Sequence, residues 1–316
     1  MRQFPGLWLA FLALSTTPIC SSQSADPKLL PLVPPEAEIV AGIDSPPPPN
    51  QPGSFVLITR KNTIDLKDFF ALTGVDGTRI VRHVVFVAMA DDAGNLTRHS
   101  LLMDGHFDRQ HIYQSSVQGG AKVIDYRGVS VAEIQPFARE RDDFNEVRWL
   151  AILEPDVLVF GTIASVRQEL DRHIAGSGAD PVLVHRLAHM RHDNETWCVL
   201  SAPARHDEIR STLLALDPKL AGLAGNGDVF AFGTRYRKQL EFEYEVTAAS
   251  ASATLTISES LERSLTGLQQ GSSLLTSEDT TASDHTVRGV VKIPTARFGA
   301  WLAQASAHGQ GEAASQ

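Results

Sequence analysis

Three times along this chain, an apolar, β-branched run is followed at once by a turn and a second run. Val84 to Ala90 leads through Asp91-Asp92-Ala93-Gly94-Asn95 into His99 to Phe107. Trp149 to Leu153 leads through Glu154-Pro155-Asp156 into Val157 to Phe160. Val229 to Thr234 leads into Leu240 to Thr247. Runs of this length and composition, joined by turn residues, predict antiparallel hairpins. Antiparallel sheet is therefore the frame into which the rest of the chain must fit.

Helical signals fall between the hairpins. Asp65 caps a helix over Leu66 to Thr73, with Gly74 as its stop. Asp108 caps another, in which Ile112, Tyr113 and Val117 face inward and Gly119-Gly120 ends the turn. Val166, Leu170 and Ile174 repeat at helical spacing, as do Ile209, Leu213 and Leu216. Asp180 and Pro181 open a helix predicted over Val182 to His192. Ala253 to Leu268 is a longer helix, and a short one runs through Phe298, Trp301 and Leu302.

Each half then reads strand, helix, strand, strand, helix, strand. The expected fold is α+β: two tandem ferredoxin-like (split βαβ) halves, antiparallel sheets covered by helices. The boundaries follow: a signal peptide over 1–25, a Pro-rich tether over 26–36 and a first half over 37–178. A connecting helix over 179–193, a second half over 194–303 and a disordered tail over 304–316 complete the chain. Tyr126-Arg127-Gly128-Val129 echoes Val287-Arg288-Gly289-Val290, and Val84 to Val87 echoes Asp228 to Ala231. Duplication predicts that Gly128 and Gly289 occupy equivalent places.

The amino terminus has the order of a secretory signal. Arg2 precedes the apolar stretch Leu7 to Leu14, and small residues follow at Ser21, Ser22, Ser24 and Ala25. The apolar stretch is shorter than the roughly 20 residues of a spanning helix. Ile19 before Cys20 argues against lipid modification, which needs a small side chain there. The expected location is exported, periplasmic or extracellular. Membrane contact arises only through this segment, if it is uncleaved. The chain carries a net charge of −9 and no basic run, which argues against nucleic acid as a partner. Beyond Cys20 only Cys198 remains, inside a strand-like run, so an inert buried thiol is expected.

The pieces Ile39-Val40-Ala41-Gly42-Ile43-Asp44, Gly105-His106-Phe107-Asp108, Tyr126-Arg127-Gly128-Val129 and Val159-Phe160-Gly161-Thr162 resemble a group of exported bacterial envelope proteins of unknown function, of acidobacterial type. The resemblance implies an envelope location and a duplicated α+β fold. It brings no catalytic residues.

Chemistry-bearing patterns are few. His185, His189 and His192 fall at i, i+4 and i+7, where three imidazoles on one helical stripe can hold zinc or copper. Arg186 stands where the protease pattern His-Glu-x-x-His needs Glu. Leu183, Leu187 and Met190 form the opposing apolar stripe, which turns the histidines toward solvent. Asp104, His106 and Asp108 read as a strand end and a helix cap. Glu241, Glu243 and Glu245 alternate with Phe242, Tyr244 and Val246, as in a half-buried strand with an acidic face. Serine-hydrolase elbows, phosphate loops and dinucleotide fingerprints are missing from the sequence.

The expected function is a non-enzymatic exported binding or interaction module, with no cofactor and an envelope protein or small ligand as partner. The alternative is a metal-binding protein or metal-dependent hydrolase using His185, His189 and His192. Intact-mass measurement of the protein from its native host should return a chain lacking residues 1–25. A mass that retains Trp8 would support an uncleaved anchor instead.

Overall fold

The computed structural model describes residues 26–44, 56–58, 63–65, 73–75, 80–90, 96–135, 146–190, 194–201, 227–236, 239–272 and 277–294. Among these residues, twelve strands form one continuous antiparallel sheet. Reading from one edge, the order is β13 (Ser277–Ser283), β14 (Thr286–Pro294), β12 (Gln239–Ala248), β11 (Gly227–Tyr236), β10 (Thr196–Ser201) and β1 (Ile39–Asp44). It continues through β4 (Val81–Ala90), β5 (Leu96–Gly105), β9 (Val157–Thr162), β8 (Arg148–Glu154), β7 (Val129–Ile134) and β6 (Lys122–Tyr126). A separate short pair joins β2 (Val56–Ile58) to β3 (Thr63–Asp65).

This corrects the expected pair of ferredoxin-like halves. β1 pairs with β4 on one side and with β10 on the other, so hydrogen bonding runs unbroken across the predicted boundary. The helices do not keep to one face. On one face lie α2 (Ile163–Ile174) and α3 (Pro181–Ala188), whose Val166, Leu170, Leu183 and Leu187 join the cluster around Val40, Trp149, Val159, Trp197 and Val199. On the other lie α1 (Arg109–Gln118) and α4 (Ala251–Ser272), whose Ile112 and Ile257 pack under Phe107 and Tyr244 respectively. β9 is buried along its whole length, and β10 up to its last residue, as expected of strands covered on both faces.

The two Arg-Gly sites are not equivalent. Arg127 and Gly128 form the β6–β7 turn with φ of 55° and 88°, and the Asp125 carboxylate accepts from the Gly128 amide at 3.1 Å. Gly289 lies inside β14, opposite Tyr244, where a Cβ would run into the phenol ring. One glycine is required for its dihedral and the other for space.

Local signals behave as their chemistry dictates. Asp108 caps α1 by accepting from the His111 amide at 3.0 Å. Asp180 caps α3 by accepting from Val182 and Leu183 at 3.3 and 3.1 Å, with Pro181 at the first position. The helix ends at Ala188, short of the expected His192. Residues 26–36, expected as a tether, pack down instead: Leu29 and Val33 are fully buried, with a 3-10 turn at Leu30–Leu32 between them. The helix sites at Leu66, Ile209 and Phe298, and the segments 1–25 and 304–316, lie outside the described residues.

Trp197 of β10 is fully buried beside Gly42 of β1 and Gly233 of β11, its register partners on either side. A Cβ on Gly42 would occupy the space of the indole. Gly42→Ala should therefore destabilise by about 1–3 kcal/mol through overpacking. Gly178→Ala, where nothing lies within 4 Å, should change the urea midpoint little. Equal effects of the two substitutions would show that the indole does not constrain Gly42.

Candidate functional site

A cleft of about 540 Å³ opens where the amino-terminal segment, β1, β10 and α3 meet. Its floor is Val40 and Val199, a register pair across the β1–β10 seam. Val33, Pro34 and Pro35 form one wall, and Val182 and Leu183 the other. Val182 is 51% exposed, so this apolar wall continues to the mouth. The volume falls within the range of small-molecule sites, and the lining combines this apolar surface with five polar side chains.

Those polar groups are Glu36, Glu38, Asp180, Arg186 and Ser201. Asp180 spends both oxygens on the α3 amides. Glu36 accepts from Gln168, and Glu38 is also engaged. Arg186 donates to Ser201 Oγ at 3.0 Å. Burial pulls its guanidinium below the usual arginine range, opposed by the more distant charges of Asp180 and Glu245.

His185 and His189 are exposed and are not among the residues lining the cleft. His185 and His189 stack edge to face at 4.4 Å between ring centres, and His189 closes the helix rather than extending it. His192 lies outside the described residues. His189 Nδ1 stands 4.0 Å from Glu245, beside a shallow 140 Å³ pocket that Glu243 and Arg288 also line. The acidic stripe of β12 is matched by cations: Arg235 pairs with Glu241, and Arg288 with Glu245 at 2.6 Å. Asn194 donates to Glu243 at 3.1 Å. The stripe is thus an ion-paired ladder, which one strand's sequence could not reveal.

Asp104 and His106 do not act together. Asp104 is buried and receives Arg82 Nε at 2.6 Å and Nη2 at 2.8 Å, while His106 is exposed. Asp26, His83 and Asp104 offer ligand atoms within 4.8 Å of one another, the one such trio among the described residues. Arg82 already holds both Asp104 oxygens, and Lys28 stands 3.7 Å away. The trio is better described as an ion-pair clasp. Lys28 also bonds Asp156, which fastens the amino-terminal segment to the β8–β9 turn. Cys198 is buried and free, its thiol pushed up to about 12 by desolvation.

No family model matches the chain, and no curated protein matches it in sequence. A solved structure, crystal form I of TP0453, is similar over 89% of this chain and 98% of its own. Its TM-score is 0.43 and its identity 9%.

Two further titratable groups are buried without any sequence signal. Glu169 on α2 is fully buried, accepts from Ser100 Oγ, and is raised to about 8 by desolvation. His99, on the neighbouring residue and opposite face of β5, is lowered to about 4 by burial and by Arg148. Between 4.5 and 8 the folded state holds the Glu169 proton that the unfolded state releases, so stability falls as pH rises. Between 6.5 and 4 the unfolded state takes up the His99 proton, so stability falls as pH falls. The two slopes oppose one another from 4.5 to 6.5, which leaves Glu169 alone to act up to about 8. Urea midpoints should therefore drop from about pH 6.5 to 8, and Glu169→Gln should flatten that limb. An unchanged slope in the variant would assign the alkaline loss elsewhere.

Proposed function

We propose that this protein is a non-enzymatic ligand-binding protein of the cell envelope. Its ligand is a small molecule with an apolar body, seated in the cleft between the amino-terminal segment and α3. The observation that carries this reading is the cleft: an apolar floor and walls, about 540 Å³, assembled from three separate stretches of chain. The signal-like amino terminus supports the envelope location. The cleft lining contains no imidazole, and Ser201 Oγ accepts from a guanidinium rather than facing a base. Binding is therefore favoured over hydrolysis. The resemblance to exported bacterial proteins is compatible with this reading and adds no chemistry to it.

The neutral dye Nile red should bind at one site with a rise in fluorescence. Val182→Trp places an indole at the exposed edge of the cleft and should weaken the dye by about tenfold. Its urea midpoint should match that of the parent chain. A Val182→Trp protein that binds Nile red undiminished would overturn the assignment.

A further inference from the structure

The cleft has a chemical polarity that its shape alone does not convey. Of its five polar side chains, the three carboxylates are already engaged, by the α3 amides, by Gln168 and at Glu38. Arg186 differs from them. A guanidinium carries five N–H donors, and among the described residues it makes one hydrogen bond, to the neutral Ser201 hydroxyl. Asp180 and Glu245 act on it from beyond ion-pair distance. A half-buried guanidinium ordinarily faces a carboxylate in bidentate contact, since desolvating it without a partner is costly. Arg186 lines the cleft.

We propose that the ligand carries one carboxylate at the end of its apolar body, with the carboxylate on Arg186 and the body over Val40, Val199 and Leu183. A single carboxylate matches the guanidinium fork. A doubly charged phosphate fits less well, because Glu36, Glu38 and Asp180 surround the same space. Ser201 Oγ, held by Arg186, is placed to donate its own hydrogen to the same anion. This inference rests on the cleft being the binding site.

Calorimetry with octanoate and octanol tests both levels. Octanoate should bind the full chain at least about tenfold tighter than octanol. Arg186→Met should weaken octanoate about tenfold to a hundredfold and leave octanol unchanged. Arg186→Lys, which keeps the charge but not the fork, should fall between and covers the case in which the Met variant does not fold. Octanol binding as well as octanoate, with both Arg186 variants indifferent, would overturn the carboxylate and leave the cleft standing. Failure of both ligands, with Nile red displaced by neither, would overturn the cleft itself.

Discussion

Pairing of β1 with β10 is the contact on which the rest of the architecture depends. These strands lie far apart in sequence, yet five register pairs join them, from Ile39–Leu200 to Ile43–Thr196. Everything on one side of the seam grows outward from β4, and everything on the other from β11. The seam admits a fully buried Trp197 because Gly42 leaves room for the indole, while Gly233 on the far side makes room for Asn194 and Met190. The fit of the Trp197 indole over Gly42 thus constrains both the register and the packing of β1 against β10. The same seam supplies the floor of the cleft, since Val40 pairs with Val199.

Covering such a sheet on both faces has an electrostatic consequence. Central strands leave little access to water, so any polar side chain there must find its partner inside the protein. Asp104 does so with Arg82 and Lys28, and the ion pairs draw residues 26–33 onto the core. Tyr113 solves a different problem. Its hydroxyl donates to the Ser130 carbonyl at 2.5 Å and accepts from the Ile152 amide at 3.2 Å. Ser130 and Ile152 would form the next rung after the Val131–Ala151 pair, so the phenol bridges the point where β7 and β8 part. Glu169 is one of several exceptions among the described residues, with one oxygen on Ser100 and the other without a hydrogen-bond partner. It remains inside the protein by staying protonated.

The hairpins and caps were legible because their causes are local. Glu154-Pro155-Asp156 turns the chain wherever it sits, and Asp108 or Asp180 caps whatever helix follows. The single sheet was not legible, because an isolated run such as Ile39 to Asp44 looks the same at an edge or at a centre. One signal did point the right way. Val84 to Met89 and Leu158 to Phe160 are continuous apolar runs, which suits burial on both faces better than an alternating, half-covered sheet. The edge strands escaped for the opposite reason. Lys122–Tyr126 is mostly exposed, and Ser277–Ser283 is almost entirely polar in sequence, so neither shows a core-facing pattern. Residues 26–36 misled through their prolines, while Leu29, Leu30, Leu32 and Val33 among them are core residues.

The cleft was invisible for a further reason: its lining comes from residues 33–40, 180–186 and 199–201, and no one of these stretches carries a motif. Arg186 makes the point. In the sequence it matters only as the residue that breaks the His-Glu-x-x-His pattern. On α3 it lies three residues after Leu183 and next to Leu187, both buried against the sheet, so the helix carries Arg186 along the flank of its apolar stripe. His185, one residue earlier, is turned by about 100° and stays exposed. Helical geometry therefore turns His185 to solvent and leaves Arg186 between Val182 and Leu183 on the cleft side. The residue that departs from the metalloprotease pattern is thus, about one turn from Leu183, a partly desolvated cation lining the cleft.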